Sequence, residues 1–434
     1  MGFLLLGILN AQAAGGAFIY WLSTLGKSSD DYCQGVTTDT GANSITVGFL
    51  NYSPSAGSVT KRSPMGDIIF DKGFRDSASV FPTYLYGVDV DSSDNIFVGG
   101  SAERDNSQSG GFLAKLNSSG AVQFQRHLRN DNNQAPIYSL LMGASDIYTA
   151  GNARHLGTTH VYTAKFDSSG STSYSKVITN SRDARGSAGI AVDSSENTYV
   201  GHRSYTSSYQ VRWGGLVKFN SGGAVQWQRY VQELGTSVGV DSSGNVYYAG
   251  SSQLSNSKGA FVLKFNSSGT LQWQRLLRTT GYANFKSIAF DSSDNVYLAG
   301  TTTHTGRDEI IVAKYNSSGT LQFQRTLGSS SDEDGLAISI DGEAIINIAG
   351  FTKGGGAGGR DVFNARLPID GSLTGTYTLD NVDYAYAVSS LTAVTSTFAN
   401  GSDSASFSSI SMSNTSNNRS YEDNNRDNYF VGIG

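Results

Sequence analysis

A single cysteine, Cys33, denies the chain an internal disulfide and any multi-cysteine metal site, and leaves its redox compartment open. Charge is also sparse, with Asp, Glu, Lys and Arg making up 15% of the residues against a usual ~25%. The formal net charge is −5, so no basic field draws the protein to nucleic acid. The longest apolar run is Phe3–Leu9, far short of the roughly 20 residues that span a bilayer as a helix. The five histidines, His127, His155, His160, His202 and His304, have no metal-binding spacing. There is no G-x-S-x-G elbow, phosphate loop or dinucleotide fingerprint. No metal, cofactor or catalytic residue is therefore expected, and the chain reads as a non-enzyme.

What the chain has is repetition and glycine, 52 Gly in 434 residues, about 12% against a usual ~7%. The stretch FNSSGTLQWQR at 265–275 recurs as LNSSGAVQFQR at 116–126, FNSGGAVQWQR at 219–229 and YNSSGTLQFQR at 315–325. Drifted copies stand at 62–72, 166–176 and 367–377, so the turn glycines are Gly66, Gly120, Gly170, Gly223, Gly269, Gly319 and Gly371. About 25 residues before each turn lies a second marker, clearest in VDVDSSDNIFVGG (88–100), VGVDSSGNVYYAG (238–250) and IAFDSSDNVYLAG (288–300). Seven units of roughly 50 residues, each holding four short alternating segments separated by D-S-S-x-N and N-S-S-G turns, predict a seven-bladed all-β propeller of four-stranded antiparallel blades.

Closing such a ring calls for a clasp. Residues 21–26 (WLSTLG) resemble 323–328 (FQRTLG), the outer strand of a blade. Two arrangements complete the last blade, with its outer strand supplied either by 21–26 from the start of the chain or by 372–378. The expected organisation is an apolar docking peptide at 1–20, the propeller at 21–378, and a Ser/Thr/Asn-rich extension at 379–434.

The V-D-S-S-G-N-V-Y-x-x-G and K-F-N-S-S-G-x-x-Q-W-Q-R patterns resemble the SBBP-type bacterial β-propeller repeat, a relative of NHL-like propellers, over residues 21 to about 378. The ends, MGFLLLGILNAQAAGG and SSLTAVTSTFANGSDSASFSSISMSNTSNN, resemble those of virion proteins from tailed phages of marine bacteria. That resemblance implies a structural, tail-associated virion component with a role in fibre support or host attachment. The alternatives are a surface or secreted adhesin or lectin-like module and, further off, a propeller hydrolase or lyase. The enzyme would need acid, base or metal groups converging on the channel mouth.

The recurrent polar residues have architectural readings. Asp91, Asp193, Asp241 and Asp291 suit turn-amide acceptors rather than calcium ligands, because the further carboxylates of a calcium loop are missing. Asn117, Asn266 and Asn316 open N-S-S sequons that read as turn chemistry. Phe70, Phe124, Trp227, Trp273 and Phe323 suit packing between blades. Lys115, Lys165, Lys218, Lys264 and Lys314 suit snorkelling beside acidic or polar neighbours on the adjacent blade.

The loops between second and third strands break the repeat and share one face. They carry Arg104, Arg154, Arg203, Arg212, Lys258, Arg307 and Arg360, with Tyr205, Tyr209 and Trp213 in the longest. Cations beside aromatics suit a host-surface glycan or an acidic polysaccharide. At the start of the chain no Lys or Arg precedes the apolar segment, which argues against a cleaved signal peptide, and Leu6 stands where myristoylation wants Ser or Thr. Composition predicts disorder for the C-terminal extension unless neighbours order it. Both ends are expected to dock on other virion proteins, of tail or capsid, through Phe3, Leu4, Leu5, Leu6, Ile8 and Leu9 at one end and Tyr429, Phe430, Val431 and Ile433 at the other. The expected location is the virion, or alternatively the cell exterior or surface, with no membrane span.

Overall fold

Each repeat folds into one antiparallel sheet, and seven such sheets surround a central channel. The computed structural model describes residues 20–26, 29–51, 55–75, 82–105, 108–129, 135–155, 158–179, 184–205, 211–252, 258–356, 358–395, 400–402, 406–409, 413–416, 420–423 and 427–433. Its side chains are described except at 104–105, 108, 154–155, 158, 179, 184–188, 204–205, 211–213 and from 400 onward. Blade 1, from the channel outward, is Asp31–Thr38, Ser44–Leu50, Ala56–Arg62 and Ile68–Arg75. Blades 2 to 6 follow the same plan, their innermost strands starting at Thr83, Ile137, Ala184, Leu234 and Ala283.

The alternating pattern expected of every strand is lost in the middle of the blades. Val246–Ser252 and Gly259–Phe265 are buried at every position, because a sheet standing between two others has no solvent face. The apolar clusters accordingly lie between blades: Ile45, Val47 and Val59 of blade 1 pack with Leu85, Val98 and Phe112 of blade 2.

Neighbouring blades are also clamped by the Q-W-Q-R segment. The indole N–H of Trp273 donates to the Ser317 carbonyl of the next blade's turn at 3.1 Å, and Arg275 donates to the Gly319 carbonyl of the same turn. Trp227 does the same to Ser267 at 3.0 Å. The turn glycines adopt positive φ, +80° at Gly319, and a Cβ there would press on the Trp273 ring.

Of the two closing arrangements, the structure has the N-terminal one. Tyr20–Gly26 pairs antiparallel with Asp361–Pro368, Trp21 opposite Arg366 and Leu25 opposite Val362, as the outer strand of blade 7. Trp21 repeats the clamp, its indole donating to the Pro64 carbonyl of blade 1 at 3.1 Å. Residues around 372–378 instead enter a hairpin, Gly375–Leu379 with Val382–Val388, laid on the rim of blade 6.

That hairpin begins a feature absent from the sequence reading. From it the extension runs back around the rim and lends each remaining blade a fifth strand: Thr392–Thr395 to blade 5, Asn400–Ser402 to blade 4, Ser406–Ser409 to blade 3, Ser413–Ser416 to blade 2, Ser420–Asp423 to blade 1 and Asp427–Ile433 to blade 7. All are antiparallel to the outer strands, so the extension forms one belt running opposite to the order of the blades. The expectation that neighbours on other subunits order this segment is corrected for its backbone, whose partners are the chain's own blade rims. The reason is that an outer strand presents a row of unpaired N–H and C=O groups, and satisfying them requires backbone rather than apolar side chains. Phe3, Leu4, Leu5, Leu6, Ile8 and Leu9 lie outside the described residues.

Candidate functional site

The second marker ends in glycine in six repeats, Gly48, Gly100, Gly151, Gly250, Gly300 and Gly350, and in His202 in the fourth. At each of the six glycines, a Cβ would fall on a backbone carbonyl in or just before the innermost strand, that of Tyr32 at Gly48 or of Asn284 at Gly300. The close approach accompanies a β-bulge. On the innermost strands, register shifts occur between Cys33 and Gly35, Leu85 and Gly87, Ile137 and Ser139, Gly235 and Ser237, Phe285 and Ser287, and Gly335 and Ala337, with a related irregularity in blade 4. Bulges re-aim the extra side chain. Here the extra residues are Gln34, Tyr86, Tyr138, Thr236, Lys286 and Leu336, and all six line a cavity of about 220 Å³ in the channel.

This ring is where the blades differ. Tyr86 and Tyr138 lie together with ring centroids 5.3 Å apart and planes tilted by 58°, and Tyr138 is 39% exposed. Burial pushes the Tyr86 phenol up to about 12. Across the channel, the Lys286 ammonium meets the Asp334 carboxylate of the next blade at 2.5 Å, and Asp334 also accepts from the Thr301 hydroxyl. Thr236 donates to the Phe285 carbonyl. Further along the channel wall Asp89 accepts from Thr37 at 3.2 Å and from the Met142 amide at 2.8 Å, tying blades 1, 2 and 3 together. Burial pushes its carboxyl up, although its amide and hydroxyl donors oppose that.

Outward from the tyrosines, on the side of the variable loops, runs an arc of half-buried rings. Tyr84 meets Phe49 edge-on at 4.9 Å, Phe49 stacks on Tyr32 at 4.6 Å, and Tyr32 meets Phe351 at 5.5 Å. Arg360 lies over both Phe351 and Tyr32, 5.1 and 5.4 Å from their centroids, and pairs with Asp30 at 3.3 Å.

Of the residues singled out in the sequence, Arg360 belongs to this arc. Arg203 is half-buried and donates to the Gly235 carbonyl at 3.2 Å. Arg307 is exposed and donates to the Ser330 carbonyl, and Lys258 is exposed at the entry to its strand. The side chains of Arg104, Arg154, Tyr205, Arg212 and Trp213, and all of Tyr209, lie outside the described residues, as do the side chains of Tyr429, Phe430, Val431 and Ile433.

The repeated lysines bond within their own blade as well as across to the next. Lys264 reaches Asp241 of its own blade at 3.2 Å and the Ser317 carbonyl of the next at 3.1 Å. The turn aspartates accept from turn amides, Asp91 from those of Ser93 and Asn95 at 2.9 Å each. Among the described residues, no group of three or more His, Cys, Asp or Glu is placed to hold a metal ion.

The bulge ring escaped the sequence reading, yet a signal existed. Gln34, Tyr86, Thr236, Lys286 and Leu336 each stand five residues before the turn aspartate, at Asp39, Asp91, Asp241, Asp291 and Asp341. Among these five copies the column differs each time, as a site carrying individual chemistry would.

Comparison with known proteins agrees with this architecture. Two stretches match propeller repeats. Residues 272–306 match the SBBP beta-propeller repeat, and residues 92–122 match a beta-propeller domain of unknown function, DUF5122. No curated protein matches the chain. Similar solved structures include the polysaccharide lyase Uly1, at 9% identity over 83% of this chain and 94% of that one, TM-score 0.48. Drosophila Semaphorin 2a is similar at 9% identity over 80% and 75%, TM-score 0.48. Sqt1 from Chaetomium thermophilum, bound to the N-terminus of ribosomal protein L10, is similar at 11% identity over 84% and 98%, TM-score 0.43. Nothing about activity, ligand or partner follows from likenesses at this level.

Proposed function

We propose that the protein is a non-enzymatic structural component of a phage particle, tail-associated, which holds its propeller by the rim and turns the variable-loop face toward the host surface. The observation that carries this reading is the pairing of the clasp strand Tyr20–Gly26 with the last belt strand Asp427–Ile433 on the rim of blade 7. Tyr20 is paired with Ile433 at one corner of blade 7, so the clasp strand and the last belt strand meet there. Asp341, Arg366 and Asp370 surround Tyr20 and help to set its phenol pKa, which burial raises. Two of the three belong to turns on the face opposite the variable loops. An attachment made at this corner would therefore leave the loop face and channel mouth unobstructed.

The chemistry of the mouth favours binding over catalysis. Lys286 is engaged by Asp334 at 2.5 Å, and the Tyr86 phenol, pushed up to about 12, offers no base near neutral pH. The alternative of a cell-surface adhesin shares the same display geometry and differs in the partner of the chain ends. Cross-linking mass spectrometry on the native source particle separates the two. Links from the N-terminal region to tail, portal or capsid proteins are expected. Links to cell-envelope proteins would replace the virion reading with the adhesin.

A further inference from the structure

The aromatic arc runs from Phe351 and Tyr32 on blades 7 and 1 through Phe49 to Tyr84, and two residues along the same innermost strand Tyr86, with Tyr138 beside it, begins the channel ring. We infer that this surface is a binding track for a neutral oligosaccharide, whose terminal sugar enters the channel mouth between Tyr138 and the Lys286–Asp334 pair. The inference deepens the display function proposed above and rests on it only for the biological source of the glycan.

Three observations carry the assignment. First, tyrosine rings at a half-open mouth offer the flat apolar faces on which the C–H face of a pyranose packs, and Tyr138 keeps 39% of its surface exposed there. Second, hydroxyls entering the cavity would meet a small convergent set of polar groups, Gln34, Thr236, Ser237 and Lys286, the composition typical of sites that orient an uncharged polar ligand.

Third, the described cations at the channel and along the aromatic arc are already paired with carboxylates. Lys286 pairs with Asp334 at 2.5 Å, Lys353 with Asp332 at 2.8 Å and Arg360 with Asp30 at 3.3 Å. Breaking such a pair to bind a uronate or sulfate would strand the carboxylate beside the new anion. At the channel and the arc this argues against an acidic sugar. The mouth is built to accept hydroxyls rather than to collect negative charge.

The test is isothermal titration of the full-length protein with two probes, neutral hexose oligomers (maltopentaose, cellopentaose and a mannose pentamer) and an oligomer of uronic acid. At least one neutral oligomer is expected to bind with little dependence on salt. Tyr138→Ala should weaken it about tenfold, equivalent to about 1.4 kcal/mol, while Tyr138→Phe, which keeps the ring, retains most of the affinity. An unchanged circular dichroism spectrum for both variants shows that the fold is intact. Failure of every neutral oligomer to bind overturns the proposal, and so does preference for the uronate or binding indifferent to Tyr138→Ala. None of these results alters the cross-linking outcome, and cross-links to a cell envelope would leave a glycan-binding track in place.

Discussion

At the scale of single residues, the repeat is written in hydrogen bonds that close turns. Asp193 accepts from the amides of Ser195 and Asn197 and from the Asn197 side chain, while Tyr199 donates to its second oxygen at 2.9 Å. Burial raises the pKa of Asp193, but these donors outweigh it and hold the carboxyl below its usual range; the same balance holds Asp39, Asp91 and Asp291 low. A carboxyl depressed in the folded state stabilises fully above its unfolded pKa of about 4 and loses that contribution as pH falls through the folded value. Denaturant midpoints are therefore expected to hold from neutral pH down to about 5 and to fall steeply below about 4. Asp193→Asn keeps an acceptor for the turn amides, as the N-S-S-G turns do with Asn266, and should flatten part of that acid slope. An acid limb identical to wild type would show that Asp193 is not held low.

At the scale of elements, the clasp strand shows how one segment can close a ring. Tyr20–Gly26 lies between Asp361–Pro368 on one side and Asp427–Ile433 on the other, so both its edges are paired. Its Trp21 is buried and reaches across to blade 1. Trp21→Ala removes the large side chain and the 3.1 Å bond to Pro64 together. The expected loss is about 3–5 kcal/mol, read as a lower denaturant midpoint, with hydrogen exchange rising first in blades 7 and 1. Exchange rising evenly over all blades would mean that closure is not concentrated at this strand. The clasp was legible in the sequence because WLSTLG copies an outer strand whose context was known. The bulges were not, because a bulge is an offset between two strands and no single segment records it.

At the scale of the whole molecule, the belt changes what kind of object this propeller is. An ordinary blade ends in an exposed edge, and an exposed edge is a template for another chain. Here every rim carries a further strand, joined to the next by links of 3–4 residues, which reach at most about 14 Å. Removing residues 396–434 should uncover the rims of blades 4, 3, 2, 1 and 7. We expect the truncated protein to associate as concentration rises, by light scattering, and to melt below the full chain. A monomer with an unchanged melting temperature would show that the belt neither protects nor stabilises the rims.

The sequence by itself determined the number of blades, their strand order and their turn chemistry, because these depend on interactions within one repeat and are written seven times. It also identified Arg360 as a residue of the loop face. Tertiary structure alone decided that Tyr86, Tyr138, Thr236 and Lys286, far apart in the chain, converge on one channel. It also decided that Arg360 and Lys286 arrive already paired with Asp30 and Asp334. The path of the extension was decided in the same way. Its Ser, Thr and Asn residues carry too little apolar surface to announce a fold, and the unpaired backbone that orders them exists only once seven blades stand in a ring.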